Sequence, residues 1–489
     1  MTDRPRTPVA SLAGAAFDVL VIGGGIVGAG VARDAASRGL RVLLVERSDF
    51  ASGTSGRSSR LLHGGLRYLA QMRFGLVREA SVEKMTLSRI APHLCEPMPF
   101  LFPVRRGSGW WLGQLTLGVW LYDLLCGGMF SGRNLGRSAS LDADQVRRLV
   151  PQLRPDGLAG ATRHYDALTN DARLVLDTLL SAAEVGATLR NYAAFVAAEP
   201  AGDGWRCAIR DEPTGATVEV AARAVVNAAG AFAAGFPRSG VRLRLTKGVH
   251  LVLDRRRLPV DEAIVLAEGR RILFVIPWGE RLIVGTTDTD YAGDPADVRT
   301  EPADVRYLLD VVNGAFPGVR LDPTDAIATW AGVRPLVAAG QRAVFPKSPS
   351  DISRAHVIAM PHPGWFDVAG GKLTTYRLMA EQTVDRISRY LNLKLDRSHT
   401  ADRPLVRGRF SGVLPPPVGP EAVAEACRRE WAVHLDDVLL RRTSWHYYHA
   451  DHDAIAGRVA AWMADHLGWD ASRRAAELAR HRSVVDPAG

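Results

Sequence analysis

Gly23, Gly25 and Gly28 stand at G-x-G-x-x-G spacing directly after the apolar run Phe17–Ile22, and Glu46 closes a second such run, Arg41–Val45. This set can bind a dinucleotide. Gly23 allows the tight turn out of a strand, Gly25 lets the main chain approach a diphosphate, and Gly28 lets the next helix lie close to the strand. That helix N-terminus offers unpaired N–H groups and the positive end of a dipole to phosphate. The Glu46 carboxylate can accept from ribose hydroxyls. Lysine usage marks two further places. Only five of the 61 basic residues are lysine: Lys84, Lys247, Lys347, Lys372 and Lys394. Lys247 and Lys372 fall in motif-like stretches, where a compact ammonium could be required and a wide guanidinium would not fit. Lys372 follows Gly370-Gly371 at an expected helix start, a place suited to holding negative charge.

Elements must position these groups. The two apolar runs read as buried strands flanking a helix, and Arg78–Ile90 also reads as helix. Asp171–Val185 is amphipathic with a glycine stop at Gly186. It leads to return strands at 187–190, 193–197 and 223–230 that are expected to complete the dinucleotide-binding sheet. Short β-rich runs at 249–253, 272–277 and 282–288 predict an antiparallel sheet on the substrate side. Residues 105–138 read as irregular, and the chain beyond 400, after the proline-rich joint at 414–417, reads as mostly helical. The expected fold is therefore α/β (α+β): a Rossmann-like dinucleotide-binding part (about 17–90, 145–240 and 325–400) interleaved with an antiparallel substrate lobe (about 91–144 and 241–324). A flexible tail, 1–16, precedes it, and a short helical domain, 401–489, follows.

At 489 residues the chain can hold several cores. Its four cysteines form no C-x-x-C pair, which argues against a disulfide framework or a zinc site and for reduced thiols in the cytoplasm. No metal site is expected. The net charge of +9 is spread along the chain, not clustered as a nucleic-acid footprint requires; attraction to an anionic lipid surface fits it equally well. The apolar run 110–125 is too short to span a bilayer. Its Trp110, Trp111, Trp120 and Tyr122 suit either a lipid interface or a buried helix with ordinary aromatic packing. A second G-x-G-x-x-G is not seen, so electrons taken from a substrate would pass to oxygen, a quinone or a carrier rather than to a nicotinamide held by this chain.

Six further pieces occur in order: His63–Tyr68 (HGGLRY), Thr246–His250 (TKGVH), Gly285–Tyr291 (GTTDTDY), Gly332–Pro335 (GVRP), Ser353–His356 (SRAH) and Gly370–Arg377 (GGKLTTYR). With them the chain closely resembles the flavin-dependent, quinone-linked glycerol-3-phosphate dehydrogenases of the D-amino-acid-oxidase-like superfamily. The resemblance implies FAD, oxidation of glycerol 3-phosphate to dihydroxyacetone phosphate, electrons passed to a membrane quinone, and peripheral attachment to the inner face of the plasma membrane. It admits a homodimer. A phosphate dianion suits arginine forks, and Arg334 and Arg354 are the expected clamp, with Arg67 a third candidate. His250 is the expected general base, since histidine titrates near neutral pH; a packed strand histidine is the alternative. His63 is its competitor, and could instead touch the flavin ring or carry a covalent link. Lys372 and Gly371, at a helix start, would face negative charge on the reduced flavin and bind substrate. Ser58, Ser59, Gly65, Ala228, Gly230 and Thr374 complete the expected cofactor contacts. The chain departs from the family at Ala231-Phe232, where Pro-Trp is usual, and between about 405 and 425, where expected helices are missing. Rival readings are another polyol phosphate such as erythritol phosphate, an amine or amino-acid oxidase, and a flavin-binding redox sensor.

Overall fold

The computed structural model describes residues 3–65, 73–107, 111–125, 135–268, 271–337 and 356–485. Two sheets organise them. In the first, the strand Ala16–Ile22 lies parallel between Val42–Val45 and Thr217–Asn227; Thr188–Arg190 continues one edge, and Trp365–Gly370 with His356–His362 the other. The central strands are buried on both faces, which explains their unbroken apolar runs. Helices Ile26–Ser37, Asp171–Glu184 and Tyr376–Tyr390 pack on one face around Val21, Leu44, Leu176 and Met379. Ala193–Ala201 and Gly204–Asp211 extend from Thr217–Asn227 as an antiparallel ribbon, and Trp205 and Trp365 fill the other face. The Rossmann-like part is as expected.

The second sheet runs in the order Thr289–Asp290, Leu243–Asp254, Arg281–Gly285, Arg271–Trp278, Ala263–Glu268, Glu96–Arg105, Leu158–Leu168 and Leu61–Leu62, with Ala326–Val337 also paired to Leu243–Asp254. It differs from the expectation in two ways. Ala263–Glu268 lies parallel to Glu96–Arg105, so the sheet is mixed. Leu158–Leu168 and Ala326–Val337, placed above in the dinucleotide-binding part, hydrogen-bond into this sheet instead. Helix Pro302–Ala315 covers one face through Leu308, Leu309 and Val312.

Two segments differ from the main expectation. Residues 105–138 are not wholly irregular: Leu112–Leu125 is a helix, the second of the two readings of the run 110–125, though with one exposed face. Apolar residues around its whole circumference give no helical stripe, which hides it from a periodicity reading. Residues 3–15 are not a loose tail: Val9 and Leu12 are buried, and Arg6 pairs with Asp211. The C-terminal helices Pro420–Arg429, His452–Leu467 and Ala471–Val485 are as expected, and no helix occupies 391–419. They are fastened to the first sheet by buried charge. Asp49 accepts from both Arg441 and Arg442, and Arg173 forms a two-pronged pair with Glu430.

Candidate active site

One cavity of about 970 Å³ lies between the sheets. It brings together Gly23, Gly25, Glu46, Ser58, Ser59, His63, Gly65, Ala228, Gly230, His250, Arg334, Gly371, Lys372 and Thr374, from all along the chain. Arg67 and Arg354 lie outside the described residues. Gly28 sits beneath the cavity: a Cβ there would be 1.9 Å from the Gly23 carbonyl oxygen. Gly23 has φ +108°, and a Cβ on it would approach the Ala228 carbonyl oxygen to 2.6 Å. Two main chains therefore meet at the mouth of the turn, as a diphosphate cradle requires. The Glu46 carboxylate accepts from the Gly24 and Ser48 amides at 2.8 and 2.9 Å. Burial pushes its pKa up against the pull of those donors.

Leu243–Asp254 and Ala326–Val337 are antiparallel neighbours. They place His250 opposite Trp330, and Arg334 opposite Thr246, on the same sheet face. The imidazole of His250 stacks on Trp330 with 5.0 Å between centroids and shares a 2.8 Å hydrogen bond with Ser59 through Nε2. Burial first, then the charges of Arg334 and Arg60, lower its pKa to about 3. The near-neutral titration expected of His250 is thus not that of the unliganded site. Arg334 donates to Thr286 Oγ1 at 2.9 Å and to the Thr287 carbonyl at 3.2 Å. Its side chain keeps about one fifth of its exposure (20%), facing the cavity.

Lys372 follows two glycines with φ +74° and +78° and caps the short turn Leu373–Thr375 that runs into helix Tyr376–Tyr390. Its Nζ donates to the Gly64 carbonyl at 3.2 Å, and the His63 amide donates to Thr374 Oγ1 at 3.1 Å. The HGG turn and the GGKLTT turn therefore brace each other. Ser58 is committed elsewhere, with its amide and hydroxyl both donating to Asp171. Lys247 does not line the cavity. It pairs with Glu301 and Asp304 at 2.7 Å each and ties the second sheet to its covering helix. The departure Ala231-Phe232 lies in the cavity wall, with the Arg47 guanidinium 3.9 Å from the Phe232 ring centroid.

A family model described as FAD dependent oxidoreductase matches residues 18–377, and one described as the C-terminal domain of alpha-glycerophosphate oxidase matches 416–474. The chain is 36% identical to glycerol-3-phosphate dehydrogenase 2 of Mycobacterium tuberculosis, over 96% of this chain and 88% of that one. The chain belongs to the FAD-dependent glycerol-3-phosphate dehydrogenase family. Another member, the aerobic glycerol-3-phosphate dehydrogenase of Staphylococcus aureus, is 36% identical over 77% of this chain and 67% of its own. The solved structure of the Bacillus halodurans glycerol-3-phosphate dehydrogenase complexed with FAD superposes with a TM-score of 0.76 at 27% identity, covering 97% of this chain and 95% of that one. The cofactor of the family, FAD, fits the residues present. The glycine cradle has no room for a Cβ, Glu46 stands at the end of the second strand, and the cavity continues from the cradle to His63, Lys372 and His250.

The sequence reading missed a buried cluster at one end of this cavity. Lys84 donates to Asp166 at 2.9 Å and to the Tyr165 carbonyl at 3.0 Å, and Tyr122 donates to the same Asp166 oxygen at 2.5 Å. Tyr122 also accepts from the Gly64 amide at 2.8 Å. It is fully buried and so is not an interfacial aromatic. Burial would raise the Asp166 pKa, but Lys84, with His164 and His63, holds it well below the usual carboxylate range. The available signal was Lys84 itself, a lysine in a chain that otherwise uses arginine.

Proposed function

We propose that this protein oxidises sn-glycerol 3-phosphate to dihydroxyacetone phosphate and passes the electrons through FAD to a membrane quinone. The observation that carries this reading is Arg334 beside His250 on one sheet face, in a cavity continuous with the dinucleotide cradle. The Arg334 fork suits a phosphate dianion. His250, held neutral by burial and by the cations beside it, is in the form that accepts a proton. A dianion on Arg334 cancels one of the charges that disfavour imidazolium, so substrate binding raises the basicity of His250 where the hydroxyl proton must go. Ser59 fixes the ring through Nε2 and Trp330 supports its face. FAD supplies the acceptor for the hydride that leaves the same carbon. Lys372, through charge and the helix start it caps, stabilises negative charge that develops on the cofactor side.

No helix among the described residues is long and apolar enough to cross a membrane. Trp111, Leu117, Trp120 and Leu124, on or beside Leu112–Leu125, are exposed together. That face supports peripheral attachment to a lipid surface.

Anaerobic addition of glycerol 3-phosphate to the yellow protein tests the substrate. Rapid bleaching of the band near roughly 450 nm, a property of the cofactor, with glycerol inert, is the expected result. Protein that photoreduction bleaches but glycerol 3-phosphate does not would overturn the reading. Bleaching by erythritol phosphate in its place would point to the Ala231-Phe232 wall.

A further inference from the structure

His250 lines the cavity, yet little of it is open to a ligand: the residue keeps 2% of its exposure. Trp330 covers one face of the ring. The Gly285 main chain closes the Cδ2 edge, where a Cβ would come within 2.3 Å. Nδ1 is buried and has no hydrogen-bond partner among the described residues. Nε2 is the other basic atom, and the Ser59 hydroxyl covers it at 2.8 Å. Ser59 is only half-buried and lines the cavity. A substrate hydroxyl therefore meets Ser59 Oγ before it meets the imidazole. The serine is held in that place from both sides. The Ser58 amide and hydroxyl donate to Asp171 at 2.9 and 2.7 Å, and the Ser58 carbonyl accepts from Trp330 Nε1 at 3.1 Å. Arg60, left-handed at φ +56°, donates its amide to Ser58 Oγ at 3.0 Å, and its carbonyl accepts from the Thr169 amide at 2.8 Å. Trp330 thus fixes both partners of the Ser59–His250 bond. Ser59 Oγ has no other partner among the described residues, so when it donates to Nε2 its lone pairs are left to accept from a ligand. The phosphate clamp is within range. A Cβ on Gly248 would lie 2.4 Å from Arg334 Nη2, so the guanidinium sits over Gly248, two residues before His250 and about 7 Å along the same strand face. A small polyol phosphate with a hydrogen bond at each end spans that gap.

We infer that Ser59 is a catalytic residue, the proton relay between the substrate hydroxyl and His250. The inference rests on the proposed substrate reading and deepens it. Its chemistry balances. The substrate O–H bond breaks and its proton bonds to Ser59 Oγ, while the proton of Ser59 passes to His250 Nε2. Hydride leaves the same carbon for FAD, so the alcohol becomes a ketone by losing two electrons and two protons in all. Ser59 ends as it began. His250 ends as the imidazolium and returns its proton to solvent once the product has gone. The neutral imidazole, with its own proton on Nδ1 and Nε2 bare, is the form this step needs, and burial with the charges of Arg334 and Arg60 keeps the ring neutral before substrate binds. A substrate phosphate on Arg334 then offsets one of those charges as the imidazolium forms. A hydroxyl that donates and accepts at once suits a relay, because it needs no net charge of its own at any stage.

Anaerobic stopped-flow bleaching of the holoprotein by saturating glycerol 3-phosphate at pH 7 tests the relay. In mixtures of light and heavy water the wild-type rate is expected to follow a bowed curve, since two exchangeable protons move in one step; this needs no variant. Ser59→Ala is expected to slow bleaching by about 100-fold or more, the scale of lost acid–base assistance, while the Kd of dihydroxyacetone phosphate, read from the flavin spectrum, stays within about threefold of wild type. Ser59→Thr, which keeps a hydroxyl, should recover most of the rate and the bowed curve. A straight-line dependence in wild type, or Ser59→Ala protein that bleaches within about threefold of wild type, would overturn the relay and leave the substrate reading standing. Wild-type flavin that glycerol 3-phosphate does not bleach at all would overturn the substrate reading and the relay with it.

Discussion

Removing the Arg334 guanidinium tests the clamp and the base at once. A forked arginine–phosphate contact is two charge-assisted hydrogen bonds, each worth about 1.5–3 kcal/mol. Arg334 keeps 20% of its side-chain exposure, so screening favours the low end, about 3 kcal/mol in total. That corresponds to a loss of roughly 150-fold in kcat/KM for Arg334→Ala. Its partners among the described residues include Thr286, Thr287 and Asp288, which lie on one loop. A second consequence has a definite sign. Burial and then Arg334 hold the His250 pKa near about 3. The base works only when neutral, so its rate falls as pH drops through its pKa, and in the wild-type free enzyme that limb lies far below neutrality. Arg334→Ala lifts one cationic penalty and moves the limb to higher pH, while burial still keeps it below the ordinary histidine value. Steady-state kcat/KM for glycerol 3-phosphate from pH 4 to 8 reads both effects, with protein kept folded as checked by circular dichroism. Arg334→Lys should restore the limb but only part of the affinity, because it returns the charge without the fork. A kcat/KM within threefold of wild type, or an acid limb that does not move, would refute the assignment.

Three other outcomes follow from packing and charge. Gly28→Ala puts a Cβ 1.9 Å from the Gly23 carbonyl, so the helix must shift off the cradle; purified protein should carry little flavin, and a normal ratio of visible to ultraviolet absorbance would contradict this. Asp49→Ala leaves Arg441 and Arg442 without the carboxylate they share, and urea denaturation should show a loss of about 3–5 kcal/mol, a change below about 1 kcal/mol counting against it. Burial first, then neighbouring imidazoles, lower His446 to about 3, and burial with His452 lowers His481 to about 4. Both therefore contribute stability that is complete above the unfolded value near 6.5 and is lost as pH falls toward 4 and 3, with a slope of up to about 1.4 kcal/mol per pH unit each; His446→Gln/His481→Gln should flatten the decline in denaturant midpoint between pH 6 and 4.

What was legible in the sequence was whatever depends on neighbours along the chain. The glycine turn and its flanking strands are local: each glycine answers a contact within a few residues or across one strand pair, and apolar runs declare strands buried on both faces. The helix Asp171–Glu184 showed itself by its stripe and its stop. Lys372 and its two glycines form another local unit, a turn into a helix. Leu112–Leu125 failed the same test for a physical reason. One side packs Tyr122 against Asp166 while Leu117 and Trp120 face outward, so no polar face marks the period. Sheet membership is nonlocal in the same way. Nothing in Leu158–Leu168 or Ala326–Val337 states which sheet they complete, and that pairing brings His164 and His250 into the lining of one cavity. His164 carried no motif because its environment is assembled from three segments: Phe100 beside it, Tyr122 from the apolar helix, and Lys84 behind Asp166. The lysine count did contain a clue. It directed attention to Lys247, which proved a tie between sheet and helix, and to Lys372, which lines the cavity. Lys84 belonged in the same set: its ammonium is buried against the Asp166 carboxylate, the Tyr122 phenol and the Tyr165 carbonyl, a compact site that suits a point charge.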